Sequence, residues 1–491
     1  MAHVLKTPAV DIKAGETAMP AGETTHVSFA TQATRYLAAA AYTDKVFRDR
    51  VIEMREAEYQ AVAPEPGVDA DFIVKHCRIA RRRKILRDAM LCVIPLALLS
   101  SGVFGEVIDS GSDLREVLAA HSWLFIGCWA LATAIIFGEA LLNGAQTLSD
   151  RIGREVQASS KGAATSAEAG GNVVVYGGFS PFVGAGFDLN GFSFTVNLEQ
   201  AKKSLDGSSR IRPFSAESLY DELKNGFERL GIKGLRVSDR LYIEGRSIRD
   251  DRRFLPRVLG RPVNRVDESI VGKFRSDPGK AIRHYLCVEI VDWGGELILS
   301  TFIRLHLSAS KLFIEVSNFM LPPLKAAYYE LDKRVRVRFA HDARVWLARA
   351  IALAPFYVIV AVFVTLRLVA RPWNRFLERR RMRKEVRLDP THNYGAQASI
   401  RELGTVNMWR TYFQRLDKEM HGKIVQQQLL DVLIEFLDAH GVDTSEIKDR
   451  GTHIQNNGVI VSGGSVTAET MAVGKGAKAE KKQTGKETGK A

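Results

Sequence analysis

A chain of 491 residues is too long for one ordinary core, so two to four separately packed parts are expected. Its composition, 46% hydrophobic and 25% charged, is globular on average and hides a strong segregation along the chain. A net charge of +13 leaves two anionic partners to weigh, nucleic acid and a membrane surface, while four scattered cysteines without a CxxC pair argue against a disulfide framework or zinc site and fit a reducing compartment.

Residues 1–27 lack the apolar core of a secretory signal and read as disordered. Residues 28–88 read as a cytoplasmic helical region, with one long helix over 28–60 rich in alanine and i,i+4 charge pairs. Residues 89–143 hold two uncharged runs, Ala89–Gly105 and Ser122–Gly138. Each lies at the short end of the roughly 17–25 residues that cross a bilayer core. Lys75, Arg78, Arg81, Arg82, Arg83, Lys84 and Arg87 precede the first run, whereas the connection between the runs carries Glu106, Asp109, Asp113 and Glu116. The positive-inside rule then predicts a transmembrane helical hairpin with a cytoplasmic N-terminus and an acidic outer loop.

Residues 144–171 are small and polar, a linker. Residues 172–345 read as a cytoplasmic α+β domain that opens on VVVYGGFSPFVGAGFDLNGFSF (173–194). Asn190-Gly191 between alternating strands predicts a hairpin, because both turn residues need positive φ. A phosphate loop would need a helix after Gly184 and Gly186, and a strand follows instead. The stretch is then a glycine-shaped sheet edge or a surface loop whose Phe179 and Phe182, beside Gly184 and Gly186, meet lipid or the hairpin. Downstream, Ser215 caps an amphipathic helix with Leu219, Leu223, Phe227 and Leu230 on its apolar face, ended by Gly231. Residues 282–323 give an antiparallel meander whose first turn is Gly294-Gly295 and whose end is Pro322-Pro323. His284 and His306 fall on adjacent strands and are candidates for a structural cross-strand pair.

A third apolar segment, 346–370 with its core at Ala350–Leu366, has basic residues on both sides. Basic flanks place both ends in the cytoplasm, and Pro355 offers a point of return, so a re-entrant or in-plane insertion competes with a full crossing. Residues 371–450 are basic, then helical. Arg379, Arg380, Arg381 and Arg383, like Arg81, Arg82, Arg83 and Lys84, adjoin an apolar run. That suits anionic lipid head groups, at about 1 kcal/mol per basic residue, better than the aromatic-interleaved platform of a nucleic-acid binder. No nucleic-acid partner is expected. In the helical tail Val425, Leu429, Val432, Leu433 and Phe436 form one stripe ended by Gly441, which implies a partner, either another copy or the soluble domain. Residues 451–491 are glycine-rich, with short alternating apolar residues, and end in disorder.

The stretches YGGFSPFVGAGF and FIEVSNFMLPPL resemble sequences of uncharacterised bacterial multi-pass membrane proteins. The resemblance covers about residues 170–330, implies a bacterial membrane protein and brings no activity with it.

No chemistry-bearing constellation stands out. There is no HExxH, HxH, Walker A or Gly-x-Ser-x-Gly pattern, so no catalytic, cofactor or metal residue is assigned. The sequence thus predicts an α+β membrane protein of the inner membrane: a transmembrane hairpin, a cytoplasmic α+β domain with an antiparallel meander, a third apolar helix and a helical C-terminal tail. Its expected role is a non-enzymatic anchored scaffold, sensor or effector, and the alternative is an oligomeric channel or permeabilising protein.

Overall fold

The computed structural model describes residues 32–101, 119–147, 152–156, 171–201, 211–276, 279, 281–333 and 336–448. The acidic loop of the expected hairpin, most of the linker and the glycine-rich tail lie outside these residues.

The long N-terminal helix is two helices, α1 (Gln32–Thr43) and α2 (Lys45–Glu56). Asp44 breaks them apart: its backbone is extended and its side chain accepts from Phe47 N at 2.9 Å, the satisfied N-cap that a buried helix start requires. Alanines pass the helix-propensity test anywhere along 28–60, which is why the break was not visible as a loss of propensity. Asp69 caps α3 (Ala70–Ser100) in the same way, and that helix runs unbroken from its basic half into the first apolar run. The second run is α4 (Ser122–Gln146).

The sheet has seven strands: β1 (Val173–Tyr176), β2 (Phe187–Asp188), β3 (Phe192–Asn197), then, after α5 (Ala216–Glu228), β4 (Leu235–Glu244). Next come α6 (Glu268–Ser276) and the meander β5 (Ile282–Asp292), β6 (Leu297–Leu307) and β7 (Lys311–Leu321). The order is β1-β4-β5-β6-β7-β2, with β3 also on β7 and only β1–β4 parallel. The expected meander and its Gly294-Gly295 turn are present, both glycines at positive φ.

The Asn190-Gly191 hairpin is not. β2 and β3 do not pair with each other; both pair antiparallel with β7, Asp188 opposite Phe319 and Phe192 opposite Val316. Leu189, Asn190 and Gly191 thus face only Ser317 and Asn318, a one-residue bulge in a single edge strand. Asn190 has φ 68°, and a Cβ on Gly191 would sit 2.0 Å from the Val316 carbonyl oxygen. A bulge and a tight hairpin ask for the same left-handed backbone, so the dipeptide alone does not separate them. His284 and His306 are also not neighbours. His284 lies opposite Leu241 on one side and His306 opposite Phe313, and the pairing of Leu286 with Ile303 sends the two rings to opposite faces.

One face of the sheet is aliphatic. Leu286, Val288, Ile303, Leu305, Ile314 and Val316 are buried beneath α5 and the C-terminal helix, residues Tyr412–Ala439. Each such side chain contributes on the order of 1.5–3 kcal/mol by leaving water. Leu219, Leu223 and Phe227 of α5 fall on the predicted face, Ser215 accepts from Ser218 N, and Gly231 has φ 60°. The opposite face is aromatic and charged, with Tyr242, Tyr285, Cys287, Phe302 and Phe319 buried around Phe182.

After α7 (Ala326–Tyr329), one helix, α8 (Arg336–Leu388), runs through Pro355 and Pro372 without a break. Pro355 therefore does not interrupt the helix: one missing N–H removes one hydrogen bond, and the neighbouring turns hold. Two short elements follow, α9 (Ile400–Leu403) and α10 (Tyr412–Ala439), each with a capping box, Ser399/Glu402 and Thr411/Gln414. Val425, Leu429, Val432 and Leu433 of α10 are buried against α5 and the sheet, with Phe436 partly buried beside them. Of the two partners the stripe implied, the soluble domain is the one it has.

The apolar parts of α3, α4 and α8 meet at Leu91, Cys92, Ile94, Ala132 and Ala354. Among the described residues, two stretches are long and apolar enough to cross a membrane, Ser122–Ala145 and His341–Val360. Both ends of α8 are held by the same α+β body. Just before its start, Asp332 pairs with Arg35 at 2.6 Å; at its end, Val386 is buried and Arg249 donates to Val386 O and Asp389 O at 2.8 and 2.6 Å.

Candidate functional site

The two basic clusters that the sequence set apart come together on one short acidic turn. Arg81 of α3 and Arg375 of α8 both reach Glu56, at 3.1 and 3.5 Å, and Arg379 pairs with Glu58 at 3.3 Å. Arg383 donates to Tyr59 Oη at 3.2 Å. Arg83 turns inward, donating to Leu142 O at 3.1 Å and stacking over Tyr42, and Lys84 is half-buried, its ammonium pKa lowered by burial and by nearby Lys45 and Arg48. Arg380 lies over the Phe376 ring at 4.4 Å, while Arg82 and Arg381 are exposed. The spacing of 375, 379 and 383 explains this: residues four apart share one helix side, and that side faces residues 56–59.

These contacts frame a cleft of about 680 Å³ between α2, residues 57–65, α8 and residues 392–400. Arg50, Arg55, Glu58, Glu65, Arg379 and His392 are among its walls, so charges of both signs face it. At its floor the Glu65 carboxylate accepts from the backbone N–H groups of Ile400 at 2.7 Å and Arg401 at 3.1 Å. Burial pushes the Glu65 carboxyl up to about 8, against the pull of those two donors and with nearby Glu402 adding to the rise. A carboxyl whose folded pKa exceeds its unfolded one holds its proton more tightly in the native state. Stability from this group is therefore full below the ordinary carboxyl pKa and declines as pH climbs towards about 8. The variant Glu65→Gln is expected to flatten the fall in thermal midpoint between pH 5 and 8.5; an unchanged profile by pH-scanned thermal denaturation would contradict the enclosed carboxyl.

Next to Glu65 stands Arg401, fully buried, donating to the carbonyl oxygens of Gly295, Glu296 and Pro322 at 3.2, 3.0 and 2.9 Å and to the Thr405 hydroxyl. Burial lowers its guanidinium pKa to about 10, which still leaves it charged at neutral pH. Glu402 reaches the other way. Its Oε1 accepts from Gly184 N at 2.8 Å and Gly186 N at 3.0 Å. Both glycines have positive φ, 90° and 88°, which turns these two N–H groups towards one point while Ala185 N–H between them donates to Phe182 O. The glycine loop does hold an anion, and that anion is a side chain of the same protein. Phe182 is not at an interface: it is buried, stacked on Phe302 at 4.2 Å. Phe179 alone of the pair is fully exposed.

Two groups elsewhere carry reactive side chains. Cys287 is buried on the aromatic face and its thiol is pushed up to about 12 by burial, so it stays protonated. His284 Nε2 lies 2.9 Å from Asp239 Oδ1 under the Tyr220 ring, and its Nδ1 is buried without a hydrogen-bond partner among the described residues. An Asp–His pair needs a nucleophile on the second nitrogen to act as a base, and Tyr220 Oη instead accepts from Leu305 N at 2.7 Å. Among the described residues, no group of three or more His, Cys, Asp or Glu is placed to hold a metal ion.

Sequence reasoning singled out Glu65, Glu402, Arg401 and Glu289 for no role, and its reading of Arg240 as part of a solvated charged face is overturned by the enclosed pair with Glu289. Only Ser399-x-x-Glu402 carried a readable signal, the capping box.

An α+β body joined to apolar helices, with a two-signed cleft where their basic halves meet it, is the class these features define. The AbeC-like domain family matches residues 191–467, more than half of the chain, and the chain belongs to that family. No curated protein and no solved structure matches it. The matched region begins at the bulge and takes in β3 to α10, so α1 to α4, β1 and β2 lie outside it. The cleft straddles the boundary: Arg379 and His392 come from within the matched region, Arg50, Arg55, Glu58 and Glu65 from before it.

Proposed function

We propose that this is a bacterial inner-membrane protein, held by its apolar helices with N-terminus and body in the cytoplasm. It acts by protein contact, as an anchored scaffold, sensor or effector, and not as an enzyme. One observation carries the proposal. The apolar helix cluster turns its large side chains outward: within Ser122–Ala145 only Ala132 and Gly144 are buried, and Trp123, Ile126, Phe356 and Phe363 are exposed. The core helix of a soluble protein hides that surface, whereas lipid covers it. In this proposal α3 and α4 are the transmembrane hairpin. The apolar part of α8, being unbroken, lies in the membrane plane with both ends on one side, supported by the attachment of both its ends to the same body. Exposed Arg82 and Arg381 meet anionic head groups.

The anchor is favoured over a channel by the state of Glu139. It lies at the edge of the second apolar run and is paired with Arg87 at 2.7 Å, a tie between helices and not a group free to line a pathway. Reporters fused before residue 1 and after residue 491 test the topology. Both are expected on the cytoplasmic side; a periplasmic reporter after 491 would mean that α8 crosses completely. Ion flux from the purified protein in liposomes would favour the channel instead.

A further inference from the structure

α10 has two unlike halves. From Val425 onward its apolar side chains are covered by the body. Before that point Met408, just ahead of the helix, and Tyr412, Phe413, Leu416 and Met420 stand between 37% and 68% exposed. Gln414 and His421, on the other side of the same turns, are buried and fix which side faces in: Gln414 donates to Glu296 and His421 Nε2 lies 3.0 Å from Asp292. At 3.6 residues per turn, steps of four advance by about 40°, so 412, 416 and 420 trace one outward strip and 413 borders it. Four large apolar groups on adjoining turns of one helix, with Met408 just ahead of them, are more than scattered surface residues. Methionine, leucine and aromatic side chains are the types that fill protein interfaces.

The charges beside the strip say what covers it. Arg415 and Glu419, both exposed, form one border four residues apart. We propose that a second copy of this chain docks on this strip, the two α10 helices running antiparallel about a two-fold axis near Leu416. A two-fold axis of that kind keeps each border on its own side and reverses the direction along the helix. Tyr412 then meets the partner's Met420, Leu416 meets the partner's Leu416, and Arg415 comes within about 3 Å, measured along the helix axis, of the partner's Glu419, in reach of its long side chain. A parallel pair would leave the charged border opposite Phe413. A lipid surface fits less well, because an acidic residue stands in the border where only basic ones would serve. The pairing does not depend on how the apolar helices are housed, so it holds in detergent as in lipid.

The full chain, purified in detergent, tests this by mass from light scattering across a concentration series. A dimer is expected. Arg415→Glu is expected to weaken it at least about tenfold by setting like charges within reach of each other, and adding Glu419→Arg to restore it. Leu416→Asp is expected to give a monomer. Since that variant buries a charge only if the dimer forms, an intact near-ultraviolet circular dichroism spectrum with a halved mass supports the proposal; should it misfold, the Arg415/Glu419 exchange decides alone. Leu416→Cys is expected to form a disulfide-linked dimer under mild oxidation that the wild type, with its own four cysteines, does not. A wild-type monomer at every concentration would overturn the proposal. So would a charge exchange without effect, or a Leu416→Asp variant that keeps its mass and loses only binding to anionic vesicles.

Discussion

Arg240→Ala is expected to cost about 3–5 kcal/mol, the range for breaking a buried ion pair by removing one partner. Arg240 on β4 grips Glu289 on β5 with two parallel bonds, Nη1 to Oε1 at 2.7 Å and Nη2 to Oε2 at 2.8 Å. Glu289 is only 4% exposed; besides Arg240 with its two-bond grip, the cation opposite it across the strand pair is Arg236, and Cys287 and Tyr242 are neutral neighbours. Truncating Arg240 removes both hydrogen bonds from an enclosed carboxylate and leaves it the charge of Arg236 nearby. For a body of this size the loss corresponds to a fall in thermal midpoint of roughly 6–20 °C. Removing both charges should do far less harm. Arg240→Leu with Glu289→Leu is expected within about 2 kcal/mol of wild type, because an apolar pair of similar volume has no desolvation cost to recover. If the single variant melts like wild type, the pair is not enclosed as described. Measuring the single and double variants side by side separates loss of the pair from loss of packing.

Arg401→Met is expected to be comparably damaging, for a different reason. The guanidinium has no fully opposed carboxylate; it answers the carbonyls of Gly295, Glu296 and Pro322 in a place closed to water. Methionine keeps much of the volume and none of the donors. Three carbonyls then lose their partner, at about 1–3 kcal/mol each, so about 3 kcal/mol or more is lost in sum. The damage should spread, because α9 carries Arg401 between Glu65 on one side and Glu402 with its glycine loop on the other. Amide exchange at Gly184 and Gly186 is expected to quicken in this variant. Arg410 supplies the contrast. It pairs with Glu296 at 3.2 Å with 42% of its own side chain exposed, and although Glu296 is buried it keeps Tyr329 Oη and Gln414 Nε2 as donors, so Arg410→Met should cost about 1–2 kcal/mol, less than Arg401→Met. Equal effects at 401 and 410 would refute the distinction between the enclosed and the exposed arginine.

What could be read from the sequence was what local chemistry decides. The caps at Ser215 and Gly231, the meander and its Gly294-Gly295 turn, and the stripe of α10 all follow from spacing within a few residues. The misreadings share one cause, a local signal with two tertiary outcomes. Asn190 takes the positive φ its identity suggests, but β7 accepts both flanking strands, and a bulge results. Phe182 and Phe179 are three residues apart in one glycine-rich stretch, and only the aromatic face of the sheet distinguishes the buried ring from the exposed one. The arginines of α3 and α8 looked like a coat for lipid, yet several of them find Glu56, Glu58 and Tyr59. Nothing near Glu65 in the chain announces that residues 400 and 401 will close over it, since 335 positions separate that carboxylate from Ile400. Partners so distant leave no periodicity to find.

Alkaline carbonate extraction of membranes from cells making the full chain tests the central claim most directly. Protein that stays with the lipid pellet until detergent is added is what outward-facing Trp123, Ile126 and Phe363 demand. Complete release into the carbonate supernatant would mean that water or another protein covers those side chains, and the anchored account would fail.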